Sequence, residues 1–219
     1  MLRCESASHQ TPMFHQIPRP QPRRRPMSDQ FTTFIAAKVN QLQRGYLANE
    51  ATAVRTMAHL RKATNKAPGT EPELWSVTLE DLPTSDQGRG QHASPSEWAS
   101  HISLSLFAVH QQGMKSKGMH EPGVRFGRVI RGLSDHGMSA DAVKRRFDAL
   151  ASASSPLEVQ HHLGALVRIL RDADASIDYV RLADDLRRLL IPGQHKPVLL
   201  QWGRDFAYSK PTPSMPLGE

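Results

Sequence analysis

A helix that is apolar nearly all the way round must have other helices on every side, and this chain carries one. Ser94-Pro95-Ser96-Glu97 reads as a capping box with proline at the first helical position. It opens a run with Trp98, Ile102, Leu104, Leu106, Phe107 and Val109 on successive faces, which stops at Gln112-Gly113. Such a helix is stable only at the centre of a bundle. The flanking sequence supplies the bundle. Phe31, Phe34, Ile35, Val39, Leu42 and Tyr46 recur at helical spacing and form one apolar face. Asn49 is a candidate N-cap for a second helix through Val54, Met57 and Ala58, which must end before Pro68-Gly69. Residues 71–82 read as a short helix with a loop, and 84–93 as a polar connection.

The second half repeats the pattern. Phe126, Val129, Ile130 and Leu133 mark a helix that ends at Gly137, and Ser139 caps the next, which packs through Val143, Phe147 and Leu150. Ser155-Pro156-Leu157-Glu158 reads as a second capping box, ahead of Val159, Leu163, Leu166, Val167 and Leu170. Tyr179, Leu182, Ala183, Leu186, Leu189 and Leu190 form another face. Pro192-Gly193 interrupts it before a short helix from Val198 to Tyr208. No alternating run competes, and no internal repeat holds along the chain. The expected fold is all-α, eight or nine helices in two small packed bundles, 28–113 and 114–208. A flexible C-terminus, 209–219, follows.

Residues 1–27 contain Pro12, Pro18, Pro20, Pro22 and Pro26 in polar filler, a composition that cannot bury a core. They are expected to form a disordered basic tail. Met27-Ser28-Asp29 resembles a natural start, so the tail is either an over-long gene reading or a genuine extension. A single cysteine, Cys4, cannot form an internal disulfide. There is no secretory h-region, no twin-arginine signal and no apolar stretch of membrane length. A soluble cytoplasmic protein fits best.

Charge is concentrated. Of the net +7, residues 1–27 carry +4 and residues 115–146 carry +5, so everything else sums to about −2. The second cluster comprises Lys115, Lys117, Arg125, Arg128, Arg131, Lys144, Arg145 and Arg146 against Glu121, Asp135 and Asp141. On a helix turning about 100° per residue, Arg125, Arg128 and Arg131 lie opposite the apolar stripe, and Arg145 does so on the next helix. Arg55, His59, Lys62 and Lys66 form a stripe at i, i+4, i+7 and i+11. Like charges in a row weaken a helix by a few tenths of a kcal/mol per pair, so a polyanion partner would account for them. An ordinary solvated face is the other reading.

Chemistry other than binding finds little support. His110 and His120, and the adjacent His161 and His162, lack metal-ligand spacing. Asp172, Asp174, Asp178, Asp184 and Asp185 alternate with Arg181, Arg187 and Arg188 along what reads as an exposed face, unlike a converging metal-nuclease site. There is no phosphate-binding G-x-x-x-x-G-K loop and no G-x-S-x-G elbow. The chain is expected to be a nucleic-acid-binding protein without catalysis or cofactor.

Several blocks occur in a telling order. Leu60-Arg61-Lys62 and Pro72-Glu73-Leu74-Trp75 come first, then Leu106-Phe107-Ala108-Val109-His110-Gln111-Gln112-Gly113 and Met119-His120-Glu121-Pro122-Gly123 with Phe126-Gly127-Arg128. His162-Leu163, Leu166-Val167-Arg168, Asp178-Tyr179, residues 182–186 and Trp202-Gly203-Arg204-Asp205-Phe206 follow. Between about Phe31 and Tyr208 the chain resembles the CasB family, the small subunit of the type I-E CRISPR Cascade surveillance complex. The resemblance implies two helical bundles and two copies along the inner face of a guide-RNA complex. It implies contacts to target and displaced DNA strands that stabilise the R-loop without catalysis. It also implies basic contacts near Arg61-Lys62, Lys115–Lys117 and Arg128. Some members carry an arginine just before the helix that Ser155-Pro156 opens, where this chain has Ser154-Ser155. The alternative is a helix-turn-helix regulator over 124–150, although Ala140, Asp141 and Ala142 would then begin its recognition helix.

Overall fold

The computed structural model describes residues 30–208, apart from Gly137 and the side chains of Asp135 and His136. The expectations for residues 1–27 and 209–219, and for a helix stop at Gly137, lie outside the described residues. The described residues form nine α-helices: α1 Gln30–Leu47, α2 Ala51–Lys62, α3 Trp75–Thr78, α4 Pro95–His110, α5 Phe126–Gly132, α6 Ala140–Ala151, α7 Pro156–Asp172, α8 Tyr179–Leu189 and α9 His195–Ala207. Two 3-10 turns, Pro72–Leu74 and Leu133–His136, lead into α3 and out of α5. The fold is all-α, as the periodicity predicts.

α4 is the hub. It packs against α2 and α3 on one side and against α7 and α8 on another. Every residue from Ala99 to His110 is buried. Ser94 and Glu97 close the capping box: Glu97 N donates to Ser94 Oγ at 3.0 Å, and Ser94 N donates to Glu97 Oε2 at 2.7 Å. Some polar residues of this buried helix find backbone acceptors, whereas Ser105 Oγ has no hydrogen-bond partner among the described residues. Ser100 Oγ donates to Thr78 O at 2.8 Å, and Ser103 Oγ to Ser100 O at 3.1 Å. Burying each of its large apolar side chains contributes about 1.5–3 kcal/mol.

Around this hub, α1 lies against α2 and α8, α6 against α7, and α9 against α5 and α8. Two glycines permit close contacts between helices. A Cβ on Gly45 would stand 2.6 Å from Ala53 Cβ, and one on Gly127 would stand 2.7 Å from Trp202 O. Phe126, Phe147, Trp202 and Phe206 form an aromatic cluster that joins α5, α6 and α9.

Local chemistry corrects several expected boundaries. Asn49 ends α1 instead of starting α2. It sits at φ 57°, its N–H donates to Tyr46 O, and Glu50 N donates to Gly45 O, a Schellman closure. Glu50 then stands at the N-cap of α2 with no side-chain bond. The second capping box is only half formed. Ser155 Oγ accepts from Glu158 N, but the Glu158 carboxylate reaches one residue further back, to Ser154 N and Oγ at 2.8 and 3.0 Å. α9 begins three residues before the expected Val198, with Pro197 in the first turn, where its missing N–H leaves no intrahelical bond unmade.

Candidate nucleic-acid interface

The basic residues singled out by sequence fall into two groups. Arg55 and Lys62 on α2, Arg128 on α5 and Arg145 on α6 are exposed, and no carboxylate or other acceptor engages them among the described residues. The other group is held by the fold.

The stripe on α2 breaks at its end. The helix stops at Lys62 and Asn65 takes φ 71°, so Lys66 lies beyond the helix. Its Nζ binds Glu71 Oε1 at 2.6 Å, and this bond holds the Glu71 carboxyl below its ordinary range. Arg61 turns inward, with a buried Nη1 that has no hydrogen-bond partner among the described residues.

The loop after α4 is tied down at both ends. Gln111 Nε2 donates to Met114 O and Lys117 O, while its Oε1 accepts from Met119 N. Gln43 of α1 grips His120 in the same two-handed way, through His120 O and N at 3.2 and 2.9 Å. A single parallel bridge pairs His120 with Ile177. Lys115 Nζ rests 4.3 Å from the centroid of Tyr46, and Lys117 Nζ donates to Asp174 O at 2.7 Å. These lysines remain exposed, in fixed positions.

Arg125 departs from the expected outward triplet. It precedes α5 as N-cap instead of lying on the helical wheel. Its Nη1 donates to the buried Asp205 of α9 at 2.8 Å. Arg131 donates to Ser134 Oγ, and Arg128 alone of the three stands clear. The stability of the three variants should therefore differ. Arg125→Ala removes a cation from a buried carboxylate and is expected to cost about 1–3 kcal/mol. Arg128→Ala is expected to stay within about 0.5 kcal/mol of the parent. Paired urea titrations test this, and equal midpoints would show that the Arg125–Asp205 bond contributes nothing.

On α6, Lys144 pairs with Asp148 at 2.6 Å, and Arg146 Nη1 donates to Ala142 O at 3.2 Å. The structure brings Arg131 and Lys144 to one small cleft, together with Asp141. It brings Arg145 and Arg146 to a second groove, against His162 of α7. Ala140 and Asp141 are exposed at the start of α6, so that turn presents a carboxylate and methyl groups where a base-reading helix would present hydrogen-bond donors.

The histidines and aspartates have structural partners. His110 Nδ1 lies 3.0 Å from Tyr179 Oη, which also donates to Leu106 O, and Tyr179 N donates to His120 Nδ1 at 3.1 Å. Burial pushes the protonation of His110 down to about 4 and lowers that of His101 and His120 as well. The rings of the adjacent His161 and His162 meet edge to face, with centroids 5.3 Å apart. Asp185 is not on an exposed face but buried, accepting from Trp202 Nε1 at 2.8 Å, and burial raises its carboxyl. Asp178 caps α8 through Val180 N and Arg181 N. No group of three or more His, Cys, Asp or Glu residues suited to a metal ion occurs among the described residues, and no helix there is long and apolar enough to cross a membrane.

The described residues thus form an all-helical frame with exposed cations on α2, α5 and α6. The family profile described as CRISPR-associated protein Cse2 matches residues 56–206, and the chain belongs to that family. The crystal structure of CasB from Thermobifida fusca is 29% identical over 80% of this chain and 97% of its own, with a TM-score of 0.70. A solved chain described as CRISPR RNA-guided surveillance complex shares the fold at 21% identity and a TM-score of 0.64, over 80% of this chain and 92% of its own. No curated protein matches the chain.

Proposed function

We propose that this chain is the non-catalytic small subunit of a Cascade-type, CRISPR RNA-guided surveillance complex. It holds target and displaced DNA strands through sequence-independent backbone contacts and so stabilises the R-loop in antiviral defence. Its partners are the guide RNA complex, the other subunits and a second copy of itself. Membership of the Cse2 family over residues 56–206 carries this reading. The unengaged cations Arg55, Lys62, Arg128 and Arg145 support it, because a protein that leaves sequence reading to guide pairing needs only charge aimed at phosphates. The exposed Lys115 and Lys117 add fixed charge, and Arg131, Lys144 and Arg146 keep donors beyond those their partners use. Arg61, Lys66 and Arg125 are assigned a secondary part, since the fold already employs them.

The reading is tested by binding and by reconstitution. The isolated protein is expected to bind single-stranded DNA weakly, with about four to six neutralised phosphates and a log–log salt slope of about −3 to −4. Changing Arg55, Lys62, Arg128 and Arg145 to Gln together should reduce R-loop formation by the reconstituted complex while the subunit still assembles. A salt slope of zero, or a strong preference for one duplex sequence, would overturn the backbone-contact reading.

A further inference from the structure

Resting on that reading, we propose that the groove between α6 and α7 is a seat for the sugar–phosphate backbone of one unpaired strand. Ala142, Arg145, Arg146 and Ala149 line its α6 wall at i, i+3, i+4 and i+7, and His162 and Ala165 line its α7 wall. The groove encloses about 430 Å³. Its three alanines keep the floor clear, so a backbone can approach the helices closely. Its polar groups are two guanidinium groups and one imidazole, and no carboxylate lines it.

Of the acids next to the groove in sequence, Asp141 is exposed and lines the neighbouring cleft with Arg131 and Lys144, and the other two are engaged. Asp148 holds Lys144 at 2.6 Å, and Glu158, one turn before His162, accepts from Ser154 N and Oγ. Those hydrogen bonds from Ser154, and to a lesser degree the neighbouring His162, hold the Glu158 carboxyl below its ordinary range. Arg146 lies along the wall, its Nη1 donating to Ala142 O, which aims the rest of its fork outward. Arg145 has no partner among the described residues. Paired forks of this kind suit phosphate oxygens. A groove of this volume between two packed helices has room for one sugar–phosphate backbone.

The claim is that shape as well as charge binds the strand, so the deciding variant changes shape alone. Ala165→Leu fills the groove and keeps every charge. A fluorescein-labelled twelve-residue oligo-dT, titrated onto the full chain by anisotropy, is expected to bind this variant about tenfold more weakly. Arg145→Gln with Arg146→Gln should weaken binding at least as much and flatten the salt slope by about 1.4, at roughly 0.7 per contact. Lys196→Gln with Arg204→Gln, two exposed cations on α9, should have a smaller effect. Normal binding by a folded Ala165→Leu protein would overturn the seat and leave diffuse charge as the cause. If that variant fails to fold, Ala149→Leu takes its place. In the parent protein, amide shifts of Ala142, Ala149 and Ala165 that do not move on adding the oligonucleotide would overturn the seat independently. If the parent binds no oligonucleotide at all, it is the broader nucleic-acid reading that fails.

Discussion

Trp202→Ala is expected to lower the stability of the protein by about 3–5 kcal/mol, the range for removing a fully buried aromatic ring. Trp202 is 1% exposed and lies among Phe126 and Phe147, with ring centroids at 5.3 and 6.3 Å. The same change strips Asp185 of the indole donor that partly offsets its burial. Trp202→Phe keeps one aromatic ring but loses the N–H together with part of the indole's volume, so it should cost about 1–3 kcal/mol, less than Trp202→Ala. Urea denaturation followed by far-ultraviolet circular dichroism measures both. Parent-like midpoints for Trp202→Ala would mean that the α5–α6–α9 cluster does not support the fold.

Acid should destabilise the chain well above the usual carboxylate range. The unfolded chain binds a proton at His110 near the ordinary 6.5, whereas the folded chain holds that imidazole neutral down to about 4. Above pH 6.5 the group is neutral in both states and shifts nothing. As the pH falls from 6.5 towards 4 the unfolded state gains protons first, and stability declines by up to about 3 kcal/mol from this residue. His101 and His120 act in the same direction, because burial lowers both. Asp185 opposes them, since its raised carboxyl takes up its proton sooner in the folded state. Three histidines against one aspartate leave the slope towards acid instability. Denaturation midpoints at pH 7.5, 6 and 5 should fall in that order, and His110→Gln should flatten the trend. A profile flat from 7.5 to 5 would contradict the burial of these rings.

Much of the architecture was legible because it is written locally. The Ser94–Glu97 box and the unbroken apolar surface of α4 reveal a central helix without knowledge of any partner. The Ser139 cap and the faces of α1, α7 and α8 are equally local. The misread features depend on distant residues. A helical wheel assigns Arg125 to the outside because it cannot see Asp205, eighty positions later. Asp185 looks like one of several surface acids until Trp202 folds over it. Gln43 carries no sequence signal at all: it is a polar residue on an amphipathic helix until the backbone of His120 meets both ends of its amide. Asn49 could cap either neighbouring helix, and only its left-handed backbone decides. Among the proposed contacts, the exposed cations were legible as charges. The grouping of Arg145 and Arg146 with His162 needed the packing of α6 on α7.

The central place of α4 has a consequence for synthesis. Its covering partners α7 and α8 lie far downstream, and α8 also closes over α1. At translation rates of roughly 5–20 residues per second, several seconds pass between the emergence of α4 from the ribosome and that of α8. During that interval a helix buried on every side in the finished protein is left partly bare on the nascent chain. The N-terminal half is thus a natural client for a holding chaperone, and overexpression that outruns such help should send the protein into inclusion bodies.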